Sequence, residues 1–291
     1  MSPNHWLPFA AACMATVQLL AAPPKIACIG DSITEGTGLS NPAVESYPGK
    51  LQRVLGTNYA VRNFGVSGRT LLKKGDYPYW RESAYQQSRD YAPDIVTIML
   101  GTNDSKPQNW RYETNFVADY SELIASYTNL SSHPRVMLCT PCPVYGVGAY
   151  DIRPGVVANA IAPAVRQLAA LYGLEVIELN LLMAGHQEWF PDTVHPNSSG
   201  TTVMAVWFRN ALLGDSGSPE PPALALNRIS TSRSVLTWPA DHAGWVLMTR
   251  SLLRTNSSWS VAVEPAYNDS SRLSVTNVSS ASQRYYRLWK P

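Results

Sequence analysis

Along the first two-thirds of the chain, short continuous apolar runs alternate with stretches whose apolar residues recur at helical spacing. The runs fall at Lys25 to Gly30, Tyr59 to Phe64, Asp94 to Leu100, Arg135 to Thr140 and Leu174 to Glu178. Runs of this length bounded by polar residues read as strands covered on both faces. Between them, helices are expected over Tyr47 to Leu55 with Gly56 as a stop, Ser83 to Tyr91, Phe116 to Tyr127, about Asn159 to Tyr172 and about Ser199 to Leu213. Such alternation specifies an α/β fold, a parallel sheet with helices on both faces.

From Ala223 the period changes. Short alternating runs at Leu224 to Ile229, Ser234 to Trp238, Trp245 to Thr249, Trp259 to Val263, Arg272 to Val275 and Arg284 to Leu288 are separated by turn residues. This is the pattern of a small all-β sandwich. Its strand spacing resembles that of fibronectin-III-like modules appended to secreted hydrolases. Trp238, Trp245, Trp259 and Trp289 are expected in its core rather than on a sugar-binding face. Gly214 to Pro222 is a linker by composition. At the other end, Trp6 to Ala22 is apolar and closes on Leu20-Ala-Ala22 before two prolines, which suits a cleaved signal peptide although the segment before it lacks Lys and Arg. The expected organisation is a signal peptide over 1–22, an α/β domain over 23–213, a linker over 214–222 and a β-sandwich over 223–291. The protein is then secreted or periplasmic, with no membrane span once the signal is removed.

Composition adds little but points the same way. Only 15% of residues are charged against 22 prolines and 9 tryptophans, which suits an exported protein. A net charge of +2 without basic runs leaves no electrostatic footprint for nucleic acid. Of the four cysteines, Cys13 would leave with the signal, Cys28 lies in the opening strand, and Cys139-Thr-Pro-Cys142 ends a later one. No second Cys pair exists for zinc, and the chain after Cys142 does not open a helix as a redox motif does, so these are expected as buried or locally bridged structural cysteines.

The candidate chemistry gathers at strand ends, where open parallel sheets bind ligands. The first run stops at Gly30-Asp31-Ser32, which presents a serine as a candidate nucleophile. A serine hydroxyl needs a base, an orienting carboxylate and oxyanion donors. Asp192-Thr-Val-His195 supplies the first two: a three-residue spacing lets the carboxylate reach Nδ1 and leaves Nε2 free to take the serine proton. The second strand runs into Asn63-Phe-Gly-Val-Ser-Gly-Arg-Thr70, whose glycines either make a turn or bring a backbone N–H near a carbonyl oxygen. The third ends at Gly101-Thr-Asn-Asp104. Ser67 lacks the last glycine of a nucleophile elbow, since Arg69 stands there, and no His-Glu-x-x-His or carboxylate-rich cluster suggests a metal; no cofactor is expected. A second Gly-Asp-Ser, at Gly214 to Ser216, follows a helix and carries no such context.

Four ordered blocks, Gly30-Asp31-Ser32, Asn63 to Gly68, Gly101 to Asp104 and Asp192 to Pro196, resemble those of the SGNH/GDSL hydrolases over roughly Lys25 to Leu213. The resemblance implies a flavodoxin-like three-layer sandwich. It also implies Ser32 as nucleophile, His195 as general base and then acid, and Asp192 as its orienting carboxylate. The oxyanion hole would comprise the N–H groups of Ser32 and Gly68 and the side-chain amide of Asn103, with Gly65 the alternative in the second block. Asp31, Thr102 and Asp104 are expected to brace these loops. Loop text over Leu71 to Trp80 and Asp104 to Trp110 is similar to that of the glycan O-acetylesterase branch. Tyr77, Tyr79 and Trp80 are candidates for a substrate wall. The implied activity is that of a serine esterase releasing acetyl groups from carbohydrate. The alternatives are a lysophospholipase or thioesterase of the same fold, or a non-catalytic glycan-binding protein.

Overall fold

A computed structural model describes residues 22–147, 149–214, 222–230, 233–239, 245–250, 259–262, 267–268, 272–278 and 284–289. Residues 1–21 of the expected signal peptide, Cys13 among them, most of the linker and Ser216 lie outside the described residues. Five parallel strands, β1 (Lys25–Gly30), β2 (Ala60–Gly65), β3 (Ile95–Met99), β4 (Arg135–Cys139) and β5 (Glu175–Ile177), form a sheet in the order β2-β1-β3-β4-β5. This is the flavodoxin-like order. The chain leaves β1 for one neighbour and returns past it to the other, so the connections diverge between β1 and β3. In open α/β sheets ligands bind at such a point, outside the carboxyl ends of the strands.

Five main helices flank the sheet: α1 (Tyr47–Leu55), α2 (Ser83–Asp90), α3 (Phe116–Thr128), α4 (Ala162–Tyr172) and α5 (Ser198–Leu213). The apolar run of β1 is explained by its two covered faces. Ile26 and Cys28 belong to one core cluster with Tyr47 and Leu51 of α1 and Phe208 of α5, while Ala27 and Ile29 belong to the other with Tyr120 and Leu123 of α3. The ring of Tyr47 stacks on Phe208 at 4.3 Å. Burying a side chain of this size contributes about 2 kcal/mol. Lys50 also joins α1 to α5. It is buried, and its ammonium donates to Ser198 Oγ and Thr202 Oγ1, each at 2.8 Å, at the start of the helix that follows His195.

Where α4 was expected to begin near Asn159, a π-turn over Val157–Ile161 leads into it. The Ala162 N–H bonds back to the Val157 carbonyl, and Pro163 just beyond has no N–H with which to continue a regular α ladder. The three described cysteines are free and buried, and burial pushes the Cys28 thiol up to about 12.

The C-terminal strands are β6 (Ala225–Arg228), β7 (Arg233–Pro239), β8 (Val246–Arg250), β9 (Ser260–Val261), β10 (Tyr267–Asn268), β11 (Arg272–Val278) and β12 (Tyr285–Trp289). They make two antiparallel sheets, β10-β11-β7-β6 and β12-β8-β9. Leu236, Trp238 and Val275 from one sheet meet Leu247 from the other in a common core. Trp238 and Trp245 are buried, and Trp289 packs on Trp189 of the α/β region, at 6.4 Å between ring centroids. Val246, Met248 and Val261 join the same apolar cluster as Val203 to Phe208 of α5. That helix is buried nearly all round, which its sequence of apolar residues on every side requires.

Candidate active site

The end of β1 leaves little room. A Cβ on Gly30 would stand 2.0 Å from Thr34 Oγ1 and 2.8 Å from the Met99 carbonyl, so glycine lets the next turn fold tightly against β3. That turn, Ser32–Glu35, is capped by Asp31, whose Oδ1 accepts from the Ile33 N–H at 3.0 Å. Burial pushes the Asp31 carboxyl up to about 6, against the opposing pull of the Ile33 N–H, the Thr102 side chain and His195. Ser32, at the head of the turn, is nearly buried.

Residue 195 is 163 positions away in sequence and arrives from the loop between β5 and α5. Its Nε2 lies 2.9 Å from Ser32 Oγ, and its Nδ1 lies 2.6 Å from Asp192 Oδ2. Asp192 Oδ1 accepts from the backbone N–H groups of Val194 and His195 at 3.0 and 2.7 Å. Partial burial raises the Asp192 carboxyl, but the His195 N–H, the imidazole and the Val194 N–H outweigh it and hold the group below the usual carboxylate range. Thr193, between them, has φ 73°, a left-handed conformation that curls the segment so that a carboxylate three residues back meets its own imidazole. Asn197 then caps α5 through the Gly200 N–H at 3.0 Å. The arrangement can pass a proton from Ser32 to His195 while Asp192 holds the tautomer.

The second and third blocks meet beyond the ends of β2 and β3. Asn103 is buried, its Nδ2 donates to the Arg69 carbonyl at 3.1 Å, and its own carbonyl accepts from Asn109 Nδ2 at 2.9 Å. This ties Asn103 to the residue after Gly68. Gly68 has φ 79°, and a Cβ there would meet nothing within 4 Å. Its glycine is therefore demanded by backbone conformation, on a face that is open. Gly65 differs on both counts. Its N–H donates to Asn63 Oδ1 at 2.8 Å, and a Cβ would fall 2.3 Å from the Glu35 N. The Gly65 N–H is thus already engaged, and this glycine serves the close approach of β2 to the Ser32 turn.

Asp104 is fully buried and accepts from the N–H groups of Leu71 and Leu72 at 3.0 and 2.7 Å, which fixes the chain just after Gly68 to the end of β3. Burial pushes it up to about 7 despite those two N–H groups, and the charge of Asp31 adds to the rise. The three expected wall residues do not stand together at the surface. Tyr79 is fully buried and donates its hydroxyl to the Phe64 carbonyl at 2.8 Å, so it is a core residue and offers no face to a substrate, contrary to the expectation. Trp80 packs on the same core and donates Nε1 to the Leu71 carbonyl at 2.7 Å, with the Lys73 ammonium over its ring. Tyr77 is exposed, beside the Arg69 guanidinium. One aromatic at the site belongs to none of the four blocks: Tyr150 lies edge-on to His195 and reaches Asp192, from a loop that carries no motif.

A family model described as the GDSL-like Lipase/Acylhydrolase family matches residues 28–203. An acetylxylan esterase from Xylanibacter ruminicola is 39% identical over 199 residues, 62% of this chain and 41% of that protein, so the chain spans less than half of this relative's length. Two solved structures share the fold: a carbohydrate acetylesterase family member from Sinorhizobium meliloti (TM-score 0.55, 23% identity, 65% of this chain and 97% of that one) and an aryl esterase from M. smegmatis in its inhibitor-bound form (TM-score 0.54, 21% identity, 65% and 98%).

Proposed function

The chain belongs to the GDSL-like lipase/acylhydrolase family, and from that premise we propose that it is a serine esterase that removes acetyl groups from carbohydrate. The observation that carries the reading is the relay from Ser32 Oγ through His195 to Asp192, at 2.9 and 2.6 Å. In this mechanism Ser32 attacks the ester carbonyl as His195 Nε2 takes its proton. The oxyanion is held by the N–H groups of Ser32 and Gly68 and by Asn103 Nδ2. The alcohol leaves with the proton from His195, and water then repeats the sequence on the acyl-enzyme. Asp31, Thr102 and Asp104 act through the loops they brace.

The acetylated-carbohydrate substrate is supported by the similarity to an acetylxylan esterase, and acetylated xylan is the first polysaccharide to test. Residues 23–213 form the catalytic unit in this reading and 223–291 a β-sandwich joined by the 214–222 linker. The apolar stretch Trp6 to Ala22 supports export to the periplasm or medium, and among the described residues no helix is long and apolar enough to cross a membrane.

The test compares wild type and Ser32→Ala on p-nitrophenyl esters from acetate to long acyl chains, followed by acetate release from acetylated xylan. Wild type is expected to turn over acetate fastest and Ser32→Ala to lose at least about 10³-fold. A rate maximum at long chains would refute the acetylesterase assignment, and equal rates for the two proteins would remove Ser32 from the chemistry.

A further inference from the structure

One segment outside the four blocks touches the fourth and the turn that follows the third. In the loop from Val144 to Val157, the Tyr145 N–H donates to the Thr193 carbonyl at 2.9 Å. At its other end the Arg153 N–H donates to Ser105 Oγ at 3.1 Å and Arg153 Nε to the Ser105 carbonyl at 2.6 Å. Ile152 and Val157 share a small apolar core with Val194, to which Val144 and Ala149 add. The loop therefore bridges the His195 segment and the turn after Asn103. Near its middle, Tyr150 and Asp151 both have left-handed backbones, φ 57° and 60°, which non-glycine residues adopt rarely and at a cost.

That backbone aims Tyr150 at the site. Its ring meets the His195 imidazole edge-on at 5.5 Å between centroids, and its hydroxyl donates to Asp192 Oδ2 at 3.2 Å. Yet the residue is 59% exposed. A core tyrosine would be covered, and a surface tyrosine would have no reason to hold a strained backbone over an acid–base pair.

The direction of proton transfer gives the exposed ring a role. The departing alcohol oxygen must come within about 3 Å of His195 Nε2 to receive its proton. An alcohol larger than a few atoms then extends beyond Nε2 alongside the imidazole, and Tyr150 is an exposed aromatic packed against that ring. Resting on the proposed esterase function, we propose that Tyr150 is a specificity-determining residue that holds the alcohol half of the ester, and that the group it fits is a pyranose ring. The tyrosine ring offers a flat apolar face to the sugar's C–H face. Two rotatable side-chain torsions, and a hydroxyl already tethered to Asp192, keep the entropy cost of that contact low.

Tyr150→Ala and Tyr150→Phe are compared with wild type on methyl acetate, which has no ring, and on an acetylated xylo-oligosaccharide. The expected result is that Tyr150→Ala loses about tenfold more kcat/KM on the oligosaccharide than on methyl acetate, the scale of one good aromatic contact. Tyr150→Phe keeps the ring and loses only the tether, so its ratio of the two rates should lie between those of wild type and alanine and nearer wild type. Because both substrates are assayed on one preparation, the ratio is independent of the fraction folded. Equal losses on the two substrates would overturn the proposal, as would a Tyr150→Phe ratio as low as that of alanine. Wild type that cleaves methyl acetate but not the oligosaccharide would overturn it together with the carbohydrate assignment. Absence of any Ser32-dependent turnover would instead refute the esterase reading itself.

Discussion

Replacing Asn103 by alanine separates its chemical part from its structural part. The backbone at this position is held without the side chain, by Asn109 Nδ2 on the Asn103 carbonyl at 2.9 Å and by the Ser105 N–H on the Thr102 carbonyl at 3.3 Å. What alanine removes is Nδ2, with its 3.1 Å bond to the Arg69 carbonyl and the oxyanion contact proposed for it. Loss of a neutral hydrogen bond costs about 1 kcal/mol of stability. In a domain of roughly this size that shifts Tm by about 2–4 °C. Loss of one oxyanion donor costs about 10²–10³ in kcat, or about 2.7–4 kcal/mol. The two effects therefore differ in size and in observable. The assay is kcat on p-nitrophenyl acetate, normalised to folded protein, beside a thermal melt. Asn103→Asp provides the sharper comparison: it keeps the shape, lacks the donor and adds a charge facing the oxyanion, so it should fall below alanine. If Asn103→Ala retains kcat within threefold of wild type while folding normally, the side chain is not an oxyanion donor. If Asn103→Asp outperforms alanine, the electrostatic reasoning is wrong.

Other outcomes follow from the same geometry. Gly65→Ala should cost about 1–3 kcal/mol and lower kcat as well, because its Cβ would meet only backbone, the Glu35 N at 2.3 Å and the Thr34 carbonyl carbon at 2.7 Å, in the turn that carries Ser32. Urea unfolding together with acetate turnover checks it, and an unperturbed protein would show that the approach is looser than described. The pH dependence of stability has a definite sign. Burial raises the folded-state carboxyls of Asp31 and Asp104 to about 6 and about 7, above their unfolded value of 3.8, so the folded state binds more protons. Their favourable contribution is complete below about pH 4 and is lost as pH rises through about 7. The lowered Asp192 acts in the opposite sense but below its unfolded value, outside this window. At about 1.4 kcal/mol per pH unit, the rises from 3.8 to about 6 for Asp31 and to about 7 for Asp104 are on the order of 3 and 4 kcal/mol. Urea midpoints at pH 5 and pH 8 should show the fall, and Asp104→Asn should flatten it; an unchanged slope in that variant would acquit Asp104. The Ser32 and Tyr150 variants complete the set.

Several features were legible from residues alone because they depend on near neighbours. β1 could be read from an uninterrupted apolar run, since a strand covered on both faces leaves no position for a polar residue. Helix α1 spans Tyr47–Leu55 as its spacing and Gly56 predict, and α5 begins one residue before the expected start, at its Asn197 cap. The Asp192 and His195 pairing was readable for the same reason: three residues of backbone are enough to bring a carboxylate to its own imidazole. Even the meeting of the blocks was implied by a topological rule, that parallel strands end on one side of the sheet.

Contacts between distant segments were not legible. Tyr77, Tyr79 and Trp80 are equivalent as aromatic letters, but the bond from Tyr79 to the Phe64 carbonyl puts one in the core and leaves another in solvent. Gly65 and Gly68 are equally glycine, and only the approach of the Ser32 turn and the Asn63 side chain shows which N–H is engaged. Tyr150 is invisible in sequence because its relation to Asp192 spans 42 residues and depends on a left-handed backbone with no glycine to announce it. The five parallel strands, the main helices and the order of the chemical groups follow from the period and polarity of adjacent residues, whereas the short strand Tyr267–Asn268 carries no such period and forms only by pairing with β11. Which side chains surround Ser32 and His195 depends on burial and hydrogen bonding, and so on atoms that the chain brings in from elsewhere.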